Sequence, residues 1–175
     1  MLINCKGNLI DLSTPKVMGI LNITPNSFFD GAKYETEAQI LERVNQMIAE
    51  GADFIDVGAY SSKPNAEEVS EKEELKRLIP TLQLIQKKYP EILISVDTFR
   101  SEVARQAIEN GACMINDISA GSLDEKMMAT IAEFQVPYIM MHMRGTAQTM
   151  MQLTHYEDIV KELLFYFSEK VSQAR

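Results

Sequence analysis

The feature that most constrains the fold is a unit that repeats along the chain: a short run apolar on both faces, a polar loop, then an amphipathic helical pattern. The runs are Val17–Leu21, Phe54–Val57, Ile92–Val96, Cys113–Asn116 and Tyr138–Met141. Runs apolar on both faces suit strands covered by helices. Their alternation with helices predicts an α/β fold, a parallel sheet joined by right-handed crossovers. Five such units, spaced about 30 residues apart, keep the pace of an eight-fold (β/α)8 TIM barrel. The first run lacks the Gly-x-Gly-x-x-Gly turn of a doubly wound sheet. A closed barrel takes roughly 250 residues. The 175 residues are therefore expected to form a single domain, an incomplete barrel that stops at its C-terminal side after about five βα units.

Before the first unit, Leu2-Ile3-Asn4 and Leu9-Ile10-Asp11-Leu12 read as a β-hairpin, with Gly7 and Asn8 able to take positive φ in its turn. Capping boxes mark helix starts at Thr36…Gln39, Ser70…Glu73, Ser122…Glu125 and Thr154…Glu157, and Ser101 is a plain N-cap candidate. Ile40, Leu41, Val44, Met47 and Ile48 form one stripe at helical spacing; Ile159, Val160, Leu163, Leu164 and Phe167 form another. Gly51 and Gly111 follow helices and suit the left-handed position there. The Met-rich stretches around Met127, Met140 and Met150 read as core filler.

Composition narrows the partners. A net charge of -8, with no basic stripe to offset it, argues against nucleic acid. No apolar run approaches the roughly 20 residues that span a bilayer, and the first residues lack a signal-peptide layout. The two cysteines, Cys5 and Cys113, lack metal-ligand spacing and fit a reduced cytoplasmic protein.

In a barrel, chemistry gathers on the loops that follow the strand C-termini. Those loops carry Asn22 to Gly31, Gly58 to Asn65, Asp97-Thr98 with Arg100, Asn116-Asp117, and Met141-His142-Met143-Arg144-Gly145. Each residue has a bland alternative. Asn22 could organise an Asx turn before Pro25, Asp97 could be a helix-start carboxylate, and His142 could be a satisfied core histidine. Their joint placement at one end of consecutive strands favours a ligand site. No GxSxG, Cys/His pair, HExxH or P-loop is present, so the loops suit ligand holding and charge stabilisation rather than covalent catalysis.

These loops, in this order, resemble the pterin-binding barrel family and, within it, the dihydropteroate synthases. The matching strings are Met18-Gly-Ile-Leu-Asn-Ile-Thr-Pro-Asn-Ser-Phe-Phe-Asp-Gly31, Asp56-Val-Gly-Ala-Tyr-Ser-Ser-Lys-Pro64, Ser95-Val-Asp-Thr98, Ile115-Asn-Asp-Ile118 and Met141-His-Met-Arg-Gly145. The resemblance implies condensation of 6-hydroxymethyl-7,8-dihydropterin pyrophosphate with para-aminobenzoate. It places Asn22 on Mg²⁺ at the pyrophosphate and Asp97 and Asn116 at the floor of the pterin pocket. Ile118 and Met141 would lie against the pterin ring. Phe28 and Asp30 fall in the first mobile loop, Asp30 as a carboxylate that could steady a cationic pterin methylene. Ser61, Ser62, Lys63 and Pro64 fall in the second, around the aminobenzoate.

There are departures. Lys63 stands where the family usually has arginine, Asn65 where it has glycine, and Asn26 where aspartate is common. The family's later motifs (a second pterin-binding aspartate, a lysine beside the pterin and an Arg-x-His) are not in the sequence. The chain alone is accordingly expected to be nearly inactive, and the homodimer surface of the full-length enzyme to lie largely elsewhere. Alternatives are a methyltetrahydrofolate:corrinoid methyltransferase-like enzyme and a non-catalytic pterin-binding fragment.

Overall fold

The computed structural model describes residues 1–23, 37–60, 69–146 and 148–175. A hairpin of β1 (Leu2–Cys5) and β2 (Asn8–Asp11) leads into β3 (Met18–Asn22), α1 (Glu37–Ala49), β4 (Phe54–Gly58) and α2 (Glu71–Lys88). Then follow β5 (Leu93–Asp97), α3 (Ser101–Glu109), β6 (Met114–Asp117), α4 (Met127–Phe134), β7 (Tyr138–Met140) and α5 (Ile159–Gln173). Strands β3 to β7 form one sheet in sequential order, every pair parallel. Sequential parallel order is what successive βα units of a barrel produce, and the fold is the expected α/β one, a partial barrel of five strands.

Side chains alternate between two environments. Leu21, Ile55, Val57, Ile94, Val96 and Ile115 are buried against the helices, among them Val44 of α1, Leu78, Leu82 and Ile85 of α2, and Val103 of α3. The alternate residues face the barrel interior. At its N-terminal end the hairpin acts as a plug: Cys5 packs with Phe54, Cys113 and Met114, with Ile3, Ile10, Met18 and Leu93 around them. Both cysteines are free thiols and fully buried, as a small hydrophobe should be.

Several local expectations shift. The hairpin turn is Lys6-Gly7, with φ of 53° and 82°, because Cys5 pairs directly with Asn8. Two positive-φ residues make the turn whose twist suits a two-residue hairpin, so Asn8 belongs to the strand. Ser70 caps α2 as read, accepting from Glu73 N at 3.3 Å. Ser101 instead is the first helical residue of α3, and its N–H is satisfied by Asp124 Oδ2 at 2.7 Å. The same Asp124 accepts from Lys126 N at 2.9 Å ahead of α4, whose helix begins at Met127 rather than beside Ser122. Asp158, not Thr154, caps α5, accepting from Lys161 N at 3.1 Å. At α5 a nearer carboxylate, the stronger acceptor for an N-terminal amide, takes the place of the hydroxyl, while α3 and α4 start without a side-chain cap. Thr36 lies outside the described residues. Of the Met-rich stretches only Met127 is fully buried, while Met151 is exposed. The α5 stripe is helical, but Ile159, Val160 and Leu164 are exposed.

Candidate functional site

The C-terminal ends of β3, β4, β5 and β6 form a single register row. Asn22 pairs with Gly58, Gly58 with Asp97, and Asp97 with Asn116. Residues in one row of a parallel sheet share a face, and this is the face away from the helices. The sequence therefore brings the candidate metal asparagine and both candidate pterin-floor residues together at one mouth. Gly58 is the small member: a Cβ there would sit 3.2 Å from Asn22 Oδ1 and 3.5 Å from Asp97 Oδ2.

Asp97 is the acid of the row. Burial, then the negative charges of Asp56, Glu74 and Asp117, push its pKa up to about 7. Desolvation and like charge act in the same direction here. A carboxyl poised near neutrality at the end of a barrel strand is the kind of group that a ligand with paired N–H donors would ionise. Asn116 beside it is half-buried and can both donate and accept.

One row deeper lie Ile20, Asp56, Ser95 and Met114. Asp56 is only 4% exposed, and its Oδ2 accepts from Asn116 Nδ2 at 3.0 Å. Among the described residues its Oδ1 and the buried Ser95 hydroxyl have no hydrogen-bond partner. The two are register neighbours. Burial raises the Asp56 pKa, with Ser95 and Asn116 drawing it part of the way back.

Two further networks hold the rim. Glu74, 1% exposed on α2, accepts from Thr98 Oγ1 at 2.8 Å and is paired with Arg100. Arg100 also donates to Val69 O at 2.8 Å and lies over the rings of Tyr60 and Phe99. It thus ties the β5 end to positions on both sides of residues 61–68. Asp117 accepts from Ser119 N, Ser119 Oγ, Gly121 N and the Tyr138 hydroxyl at 2.7, 2.8, 2.8 and 2.6 Å. It is a fully satisfied buried carboxylate that organises the turn after β6.

The remaining candidates separate. Ile118 is half-buried just beyond β6. Met141 follows β7, its N–H bonded to Asp117 O at 3.2 Å and its carbonyl to the Tyr166 hydroxyl at 3.2 Å. His142 lies edge-on to the Tyr166 ring, 4.8 Å between centroids, an aromatic contact with α5. Phe28, Asp30, Ser61, Ser62, Lys63 and Pro64 lie outside the described residues. A cleft of about 600 Å³ opens between the segment after β7 and α5, lined by residues that include Arg144, Lys161, Glu162 and Phe165. It contains no member of the row. The sequence reading missed Asp56, Glu74 and Tyr138. Only Asp56 carried a signal, a carboxylate in the middle of a run otherwise apolar on both faces.

Among the described residues, no group of three or more His, Cys, Asp or Glu is arranged to hold a metal ion. Asn22 offers one neutral oxygen at the mouth. A single oxygen suits Mg²⁺, which keeps several waters and takes its other ligands from substrate phosphates. No described helix is long and apolar enough to cross a membrane.

The chain is similar to known proteins over nearly all of its length. It is 48% identical to the folate synthesis bifunctional protein of Arabidopsis thaliana over 90% of this chain and 34% of that protein. It is 45% identical to the dihydropteroate synthase of Synechocystis over 91% of this chain and 55% of that one. A crystal structure of the Yersinia pestis dihydropteroate synthase with a sulfonamide drug superposes with a TM-score of 0.91 at 33% identity, covering 99% of this chain and 62% of that one. The chain thus spans from about a third to under two thirds of these relatives' length. The family profile described as pterin binding enzyme matches residues 18–175, and the chain belongs to that family.

Proposed function

We propose that the chain is part of a dihydropteroate synthase, a transferase that joins 6-hydroxymethyl-7,8-dihydropterin pyrophosphate to para-aminobenzoate and releases pyrophosphate. The observation that carries this reading is the row Asn22, Gly58, Asp97, Asn116 at the barrel mouth. It sits in a chain 45% identical to a dihydropteroate synthase.

The aminopyrimidine edge of a pterin presents parallel N–H groups, which the two oxygens of an ionised Asp97 can accept together. Asn116 reads the neighbouring edge by donating and accepting. Ile118 and Met141 supply apolar surface to the ring. Asn22 would hold Mg²⁺, which when bound supplies positive charge to the leaving pyrophosphate. The reaction breaks the bond between the pterin methylene and the pyrophosphate oxygen, whose electron pair leaves with pyrophosphate. The aminobenzoate nitrogen forms the new bond to the methylene and loses a proton. The protein contributes positioning and electrostatic stabilisation rather than a nucleophile. Phe28, with Ser61, Ser62, Lys63 and Pro64, is proposed to shape the aminobenzoate side, and Asp30 to steady a cationic pterin methylene. A cytoplasmic homodimer is proposed for the whole protein, the two free thiols supporting a reducing compartment.

Calorimetric titration with the pterin pyrophosphate, with and without Mg²⁺, tests this reading. Binding that strengthens with Mg²⁺ supports it. Absence of pterin binding, or methyl transfer to a corrinoid, overturns it.

A further inference from the structure

Asp56 is costly where it stands. Its neighbours Phe54, Ile55 and Val57 are buried hydrophobes, and an aliphatic residue would fill the same position. The carboxylate is instead almost fully buried, and among the described residues no cation is bonded to it and one of its oxygens lacks a hydrogen-bond partner. Burying such a group costs stability, so its presence points to a role other than packing. Its Oδ2 accepts a hydrogen bond from Asn116 Nδ2, the side chain one row above it at the mouth.

We infer that Asp56 is a positioning residue that fixes which end of the Asn116 carboxamide a ligand meets. The end of Asn116 that meets Asp56 is its NH₂, donating to Oδ2 at 3.0 Å, an arrangement a carboxylate oxygen holds as an acceptor. The Asn116 oxygen and its second N–H are then left to the mouth, so the asparagine meets a ligand in one fixed orientation, accepting at one end and donating at the other. Asp97, its register neighbour, is also an acceptor when ionised. The floor of the mouth therefore presents the Asp97 carboxylate and the Asn116 oxygen as acceptors in a fixed arrangement, and a ligand edge with its N–H groups in the matching order is selected. Asp56 sets this preference from beneath, through Asn116. The inference rests on the reading of Asn116 as a pterin-floor residue.

The test is a double-mutant cycle read by calorimetry with 6-hydroxymethylpterin as the probe. Asp56→Asn keeps the shape but can donate, releasing Asn116 to turn its NH₂ outward. It should weaken binding about tenfold, the worth of one hydrogen bond made or lost in a buried site. In an Asn116→Ala background the same change should have no further effect. Losses that add, or an Asp56→Asn chain that binds like wild type, overturn the inference while leaving the pterin reading intact. Asp56→Ser serves as a second variant should the first fail to fold. If the wild-type chain binds no pterin, it is the functional reading that fails. The Asn116 side-chain NH₂ resonances then decide the inference by themselves: they should shift and exchange faster with solvent in either Asp56 variant. Resonances that do not move overturn it.

Discussion

Asn22 on β3 and Asp97 on β5 come together over Gly58 of the strand between them, which has no side chain to part them. A Cβ at Gly58 would meet Asn22 Oδ1 at 3.2 Å and Asp97 Oδ2 at 3.5 Å. These distances are tight but not prohibitive, so Gly58→Ala should fold while intruding into the space shared by the two side chains. Pterin pyrophosphate affinity is expected to fall about tenfold or more, with the melting temperature within a few degrees of wild type. Calorimetry and thermal melts check the two halves separately.

Asp97 links binding to pH. Its carboxyl titrates at about 7, above its ordinary value of 3.8. A ligand that donates two N–H bonds stabilises the ionised form and lowers that pKa on binding. Below about pH 7 binding should therefore release a proton, and affinity should fall as pH drops from 8 to 6. Titrations in buffers of different ionisation enthalpy measure the released proton directly.

The same shift affects stability in a defined direction. Because the native pKa is raised, the folded state holds a proton that the unfolded state has lost between about pH 4 and pH 7. Stability contributed by this group is present at low pH and is lost as pH rises through 7. Asp97→Asn removes the buried charge and should stabilise the chain at pH 8 by roughly 1–3 kcal/mol, with little gain at pH 4. Urea unfolding at the two pH values decides it.

How far the sequence could be read depended on how local each signal was. The five runs were legible because most of their residues are apolar on both faces, and Asp97 and Asn116 were legible as polar residues closing such runs. Asp56 and Ser95, buried on the interior face, break that pattern. Cap positions were harder. A hydroxyl at the right spacing suggests a cap, but Asp124 reaches Ser101 N from 23 residues away, a tertiary contact that spacing does not show. The pairing of Glu74 with Arg100 was hidden for the same reason, since a glutamate in the first turn of an amphipathic helix reads as solvated. The exposed face of α5 lies at the other limit: its stripe predicts a helix but does not say what covers it.

Glu74 and Arg100 give a stability prediction. Burial raises the Glu74 pKa, and Thr98 and Arg100 oppose that rise. Arg100→Ala would strand a buried carboxylate and should cost about 3 kcal/mol. Replacing both residues with methionine should cost much less, because no uncompensated charge remains. Denaturant unfolding of the single and double variants compares them.

The hairpin plug gives a chemical one. Burial, with the neighbouring Cys5, pushes the Cys113 thiol up to about 12, and burial raises Cys5 as well. Thiolate is the reactive form, so neither cysteine should react with a thiol reagent in the native chain at pH 8. Both should react after unfolding.

The central claim is that Asp97 and its row hold a pterin. The most direct measurement is calorimetric titration of wild type and Asp97→Ala with 6-hydroxymethyl-7,8-dihydropterin pyrophosphate in the presence of Mg²⁺. Wild type should bind, and Asp97→Ala should lose at least a hundredfold in affinity, the scale of two charge-assisted hydrogen bonds at about 1.5–3 kcal/mol each. An Asp97→Ala chain that binds the pterin as tightly as wild type would contradict the account.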